Sequence, residues 1–150
     1  MTSKASIDDF IAQPMLAVAG ASRDQRKFGN MVYRDLKAMG YRVFAVNPNA
    51  ETVEGDLSYK SLADLPEKVG GVVIVTPPAV TEKLVQEVAA AGICRVWMQR
   101  GAESRAAIEF CQEHGITLVH GECIRMYAPG SASFHKFHKF VKELFGGKPT

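Results

Sequence analysis

Apolar residues along the chain fall into short blocks that alternate with stretches of helical period. Blocks at residues 15–19 (Met-Leu-Ala-Val-Ala), 41–46, 72–76 (Val-Val-Ile-Val-Thr), 95–99 (Arg-Val-Trp-Met-Gln) and 116–120 (Ile-Thr-Leu-Val-His) have the length of strands. Runs this short and this apolar predict strands buried within a sheet. Between them, Met31, Val32, Leu36 and Met39 recur at helical spacing up to Gly40, a residue that ends helices because it tolerates positive φ. Val80, Leu84, Val85 and Val88 mark one side of a helix over 79–91 with Gly92 as its stop, and another helix is expected over 103–114, closed by Gly115. Residues 6–12 read as a leading helix with Ser6 as its cap and Asp8 and Asp9 in its first turn. Residues 51–68 show neither period: they are acidic and turn-rich, with one turn of helix at 61–65 before Pro66. At the far end, Phe134, Phe137, Val141, Leu144 and Phe145 form an apolar stripe with Lys136, Lys139 and Lys142 outside it, which predicts a helical extension over 131–146.

Strands separated by helices of this length pair in parallel through crossovers. The chain is therefore expected to form one α/β domain over residues 1–150, a doubly wound Rossmann-like sheet of five parallel strands in the order 3-2-1-4-5 with flanking helices. No internal repeat or linker interrupts it.

Composition changes this picture little. With 150 residues, 47% of them hydrophobic and 23% charged, the chain is an ordinary globular mixture, and a net charge of +2 is too small to argue for nucleic acid. No apolar run reaches the length of a membrane span, and the first ten residues lack a signal-peptide core. Cys94, Cys111 and Cys123 are odd in number and form no C-x-x-C pair, which favours a reducing compartment and predicts a cytoplasmic protein.

The chemistry concentrates at residues 20–30. Gly20, Ala21 and Ser22 make a small-residue corner after the first strand, where backbone can approach a ligand closely. Arg23, Arg26 and Lys27 surround Asp24, and Gly29 and Asn30 lead into the first long helix. Free N–H groups and the positive dipole end at that helix start predict a phosphate-bearing ligand. The pattern is neither G-x-G-x-x-G nor a P-loop. In doubly wound sheets the ligand lies beyond the carboxyl ends of the strands, and Asn47-Pro48, Thr76-Pro77-Pro78 and Gln99-Arg100-Gly101 fall on that rim as well. Proteins of this topology that bind NAD place an acid at the tip of strand 2, whereas here that tip reads Val46-Asn47-Pro48-Asn49. A basic loop and a missing carboxylate suit a ligand with more phosphate. Coenzyme A, with a diphosphate and a phosphomonoester, carries roughly −3.5 to −4 at neutral pH.

An ordered set of motifs carries a family resemblance: Val18-Ala-Gly-Ala-Ser22, Lys27-Phe28-Gly29, Gly40-Tyr-Arg-Val, Val46-Asn-Pro48, Ser61-Leu…Leu65-Pro66, Thr76-Pro-Pro78, and Trp97-Met-Gln99 followed by Gly101. In these residues the sequence resembles the small stand-alone CoA-binding proteins, whose fold is similar to the CoA-binding domain of the succinyl-CoA synthetase α subunit. The resemblance runs from Leu16 to Gln99 and continues more weakly to Cys123. It implies a CoA or acyl-CoA ligand, with Gly20, Ala21, Ser22, Arg23 and the Lys27–Phe28–Gly29 turn at the diphosphate. It further implies Asn47 and Pro48 at the adenosine end with its 3′-phosphate, and Thr76, Pro77 and Pro78 as an apolar shelf near the adenine or the pantetheine arm. Two departures stand out. A proline often found in the family's first loop is replaced by Asp24-Gln25-Arg26, and the chain continues past Cys123.

Nothing in the sequence demands catalysis, because no Ser/His/Asp set is evident. The leading reading is a non-enzymatic CoA carrier or sensor. An NAD(P)-dependent oxidoreductase of the same topology is one alternative, and an interaction module using the C-terminal helix is another. In the latter, Phe134, Phe137 and Phe140 would line a homodimer interface. No nucleic-acid or membrane partner is expected. His120, Cys123, His135 and His138 have a spacing reminiscent of a zinc finger, but the histidine pair lies on a basic amphipathic helix, so no metal is assigned. Cys94 and Cys111 read as buried filler, while Cys123, near Arg125, has the setting of a redox-active thiol. Gly20→Val is expected to block the ligand and spare the fold.

Overall fold

A computed structural model of the chain describes residues 3–127. Helix α1 (Lys4–Ile11) is capped by Ser3, whose Oγ accepts the N–H of Ser6. The cap thus lies three residues before the expected Ser6. Strand β1 (Met15–Ala19) follows, then α2 (Phe28–Ala38) and β2 (Arg42–Val46). Residues 51–68 hold a hairpin, β3 (Thr52–Val53) and β4 (Asp56–Tyr59), and a single 3-10 turn at Leu62–Asp64. Next come β5 (Gly71–Ile74), α3 (Pro78–Ala90), β6 (Arg95–Met98), α4 (Arg105–Glu113) and β7 (Thr117–His120).

The strands form one seven-stranded sheet in the order β3-β4-β2-β1-β5-β6-β7, parallel throughout except for the β3–β4 hairpin. The Rossmann-like class is as expected; the strand count and order are not. The expected third strand, β5, pairs with β1 (Ala17 opposite Val72) rather than lying outside β2. The outer place belongs to β4, which pairs with β2 through Val46 and Tyr59. The hairpin escapes the apolar pattern because it is short and at the sheet edge: Val53 is buried, but Leu57 is 63% exposed. Glu54 and Gly55 both have positive φ, as the two-residue turn of a right-twisted hairpin needs.

Alternation along the strands feeds two cores. Ala17, Ala19, Val72, Ile74, Val96 and Met98 face α3 and α4, where Leu84, Val85, Val88 and Cys111 are buried. Leu16, Val18, Val73, Trp97 and Val119 face α1 and α2, where Phe10, Val32, Tyr33 and Leu36 are buried. The Phe10 ring meets Trp97 edge to face at 5.4 Å and lies against Gly71, where a Cβ would come within 2.5 Å of it. Burial on both faces explains why β1 and β5 read as continuous apolar runs. The helices therefore start and stop at the rims of the sheet, and the loops after β1, β2 and β5 come together at one rim.

Candidate ligand-binding cleft

A cleft of about 670 Å³ opens where β1, β2 and β5 end. Its floor is set by two close backbone approaches. Gly20 turns the chain out of β1 at φ +122°, and a Cβ there would lie 2.1 Å from the carbonyl oxygen of Val75. Gly29, in the first turn of α2, would place a Cβ 2.5 Å from the carbonyl oxygen of Gly20. Both positions are glycine because backbone meets backbone, the end of β1 against the end of β5 at Gly20 and α2 against the end of β1 at Gly29. The expectation that Gly20→Val spares the fold is thereby corrected.

Asn30 locks this corner. It is fully buried, its Oδ1 accepts the N–H of Ser22 at 2.8 Å, and its Nδ2 donates to the Ser22 carbonyl at 2.7 Å. The same amide nitrogen donates to Glu54 Oε2 at 2.8 Å, and Arg34 joins that carboxylate at 2.9 Å. The hairpin thus reaches across α2 to hold the loop after β1. From the other side Asn47 donates to the Ala21 carbonyl at 2.9 Å and accepts the N–H of Asn49 at 2.7 Å. Beyond Ser22, whose Oγ accepts the N–H of Asp24, the loop closes in a local turn: Asp24 Oδ1 accepts from the Arg26 backbone and guanidinium, both at 3.0 Å. These bonds hold the Asp24 carboxyl below the usual carboxylate range.

At the start of α2, Lys27 occupies the cap position without a side-chain hydrogen bond. The first helical N–H groups, those of Phe28 and Gly29, have no intrahelical acceptor, and both residues line the cleft. At α3, Pro77 caps and Pro78 takes the first position, where its missing N–H costs nothing. Buried Thr81 ties this start down, with 2.8 Å between its Oγ1 and that of Thr76.

Of the residues singled out from sequence, Gly20, Ser22, Lys27, Phe28, Gly29, Asn47, Pro48, Thr76 and Pro77 line the cleft. Ala21 is fully buried beneath it and contributes only its carbonyl to Asn47. Arg23 and Pro78 are exposed and outside the lining, and Arg26 is turned onto Asp24. Of the three cations in the loop, only Lys27 reaches the cleft. Sequence reading missed Lys60 and Lys83, which do line it, because one follows the unrecognised β4 and the other belongs to a helix read only for its apolar side. It also missed Asn30, whose signal was a lone amide at the start of an amphipathic helix.

The remaining candidates lie elsewhere. Cys94 is exposed rather than buried, since it precedes β6; Cys111 is buried, and burial pushes its thiol up to about 11. Cys123 is half-buried and accepts from Gln99 Nε2 at 3.3 Å. Arg125, expected to activate it, pairs instead with Asp35 at 2.6 Å. Gln99 Oε1 accepts the N–H of Ile124, and Trp97 donates to the Glu122 carbonyl, so the Trp97–Gln99 motif anchors the chain after β7. No group of three or more metal-ligating side chains occurs among the described residues; His135, His138 and the 131–146 extension with its aromatic stripe lie outside them. No helix among the described residues is long and apolar enough to cross a membrane.

The family model for a CoA binding domain matches residues 15–129. The chain is 30% identical over 122 residues to ADP-forming acetate–CoA ligase I of Archaeoglobus fulgidus, a match covering 75% of this chain and 18% of the ligase. It is 27% identical over 129 residues to the α subunit of ADP-forming acetate–CoA ligase II of Pyrococcus furiosus, covering 79% of this chain and 28% of that subunit. The chain thus spans less than a third of either relative. A solved structure of a conserved hypothetical protein from Pyrococcus furiosus matches with a TM-score of 0.72 at 37% identity, covering 75% of this chain and 97% of that one. With the match spanning every strand of the sheet, this chain belongs to the CoA-binding domain family.

Proposed function

We propose that the protein binds coenzyme A or an acyl-CoA in the cleft at the ends of β1, β2 and β5, as a carrier or sensor in the cytoplasm. The observation that carries this reading is the make-up of the cleft wall. An uncapped helix start and the lysines at 27, 60 and 83 face a cavity of about 670 Å³ in which Glu87 is the one acid of the lining. That volume suits a cofactor-sized ligand. The diphosphate fits the start of α2, where backbone N–H groups and Lys27 supply charge-assisted donors. Pro77 and Val80 offer an apolar wall to the adenine or the pantetheine arm.

A dinucleotide reading lacks its acid: the tip of β2 presents Asn47, Pro48 and Asn49. The lining also holds neither histidine nor cysteine, and the Ser22 hydroxyl is occupied by the N–H of Asp24. These features support binding rather than chemistry. The ligase relatives name CoA as their substrate, but this chain matches only a fraction of each.

Calorimetry on the full chain with CoA, NAD and NADP tests the reading. CoA binding at least about tenfold tighter than either dinucleotide supports it. Tight NADP binding without CoA binding overturns it.

A further inference from the structure

Most basic side chains among the described residues are committed to carboxylates: Arg34 to Glu54, Lys37 to Asp56, Arg95 to Asp9 and Arg125 to Asp35. Lys60 and Lys83 are exceptions. Among the described residues neither forms an ion pair or a side-chain hydrogen bond, yet both line the cleft. They come from unrelated parts of the chain. Lys60 follows Tyr59, the last residue of β4, whose carbonyl accepts the N–H of Asn47 at 2.8 Å, so it emerges beside the tip of β2. Lys83 lies on α3 one turn after Val80, on the side of the helix that walls the cleft.

Two like charges sharing a cavity repel each other, and an anion between them relieves that repulsion. The position of Lys60 identifies the anion, and Lys83 adds a second cation to the same cleft. The tip of β2 is where dinucleotide folds read the ribose, with an acid for a free hydroxyl and a cation for a phosphate. Here the tip carries no acid, and the residue that follows the neighbouring strand β4 beside it is Lys60. Glu87 stands a further turn along α3, about 6 Å beyond Lys83, and bounds the positive region on one side.

We infer that Lys60 and Lys83 form a monophosphate subsite, distinct from the diphosphate site at Lys27 and the start of α2, which makes the protein select an adenosine ligand with a phosphorylated ribose. The inference rests on the CoA reading above. In that setting the 3′-phosphate of CoA is the occupant, and dephospho-CoA lacks it.

The test is calorimetry of CoA and dephospho-CoA against the wild-type chain and a Lys60→Ala/Lys83→Ala double variant. Both side chains are exposed, so the fold is expected to survive, with the thermal melt as control. Wild type should prefer CoA by about tenfold or more, the scale of a charge-assisted contact. In the double variant the preference should shrink to about threefold or less through weaker CoA binding, with dephospho-CoA affinity unchanged. Equal affinities in the wild type, or an intact preference in the double variant, would overturn the subsite and leave the CoA reading standing. Failure of the wild type to bind either ligand would overturn both.

Discussion

Asn30 and Ser22 are joined by a two-way clamp: the side-chain amide accepts from the Ser22 N–H at 2.8 Å and donates to the Ser22 carbonyl at 2.7 Å. A side chain here does for the loop after β1 what a neighbouring strand does for a strand. Replacing it leaves two backbone groups and Glu54 with fewer partners. Asn30→Ala is expected to destabilise the protein by about 2–4 kcal/mol, three lost hydrogen bonds plus the penalty of unmet polar groups. Urea denaturation measures this as a lower midpoint, and CoA affinity should fall with it. An unchanged midpoint would mean that the loop holds itself.

Gly20 gives a different failure. A Cβ 2.1 Å from the Val75 carbonyl oxygen cannot be accommodated without separating β1 from the end of β5, and φ +122° adds backbone strain. Gly20→Ala should therefore cost about 3 kcal/mol or more. Ligand binding should disappear together with the cooperative melt. A variant that melts like the wild type but no longer binds ligand would show that the glycine serves only the cleft.

The hairpin is fastened at a second point by Asp56, whose Oδ2 accepts from Lys37 Nζ at 2.6 Å and from the Tyr33 hydroxyl at 2.7 Å. Lys37 first, and then Tyr33, hold this carboxyl below its usual range. A carboxyl with a depressed folded-state pKa adds stability that is complete above its unfolded pKa of about 3.9 and is lost as pH falls through the folded value. Because the pair is partly exposed, Asp56→Asn should destabilise by only about 0.5–1 kcal/mol at pH 7. The difference from wild type should narrow below about pH 4. A difference independent of pH would assign the effect to the hydrogen bond with Tyr33 alone.

Lys27 stands at the cap of α2 and forms no side-chain hydrogen bond there. Lys27→Ala should leave the melting curve in place and weaken CoA by about 1–2 kcal/mol, as loss of one charge-assisted contact does. Unchanged affinity would place this ammonium in solvent.

The parallel core of the sheet was legible because its strands are buried on both faces and so leave unbroken apolar runs, as at Val72–Ile74. The hairpin was not, because an edge element with Leu57 facing solvent has no such run, and its omission displaced the strand order. The rim was legible as a place: Gly20, Asn47 and Thr76 do converge on one cleft. Which charges face it was not, since a loop sequence does not tell that Arg26 turns back onto Asp24 while Lys60 and Lys83 arrive from elsewhere. Asn30 was hidden for the same reason. Its partners, Ser22 and Glu54, lie 8 and 24 residues away.

The central claim is that the start of α2, beside the Gly20–Ser22 corner, receives the diphosphate of CoA. A crystal structure of the CoA complex tests it most directly. The account predicts diphosphate oxygens within hydrogen-bonding distance of the Phe28 and Gly29 N–H groups; a CoA molecule seated away from that helix start would contradict it.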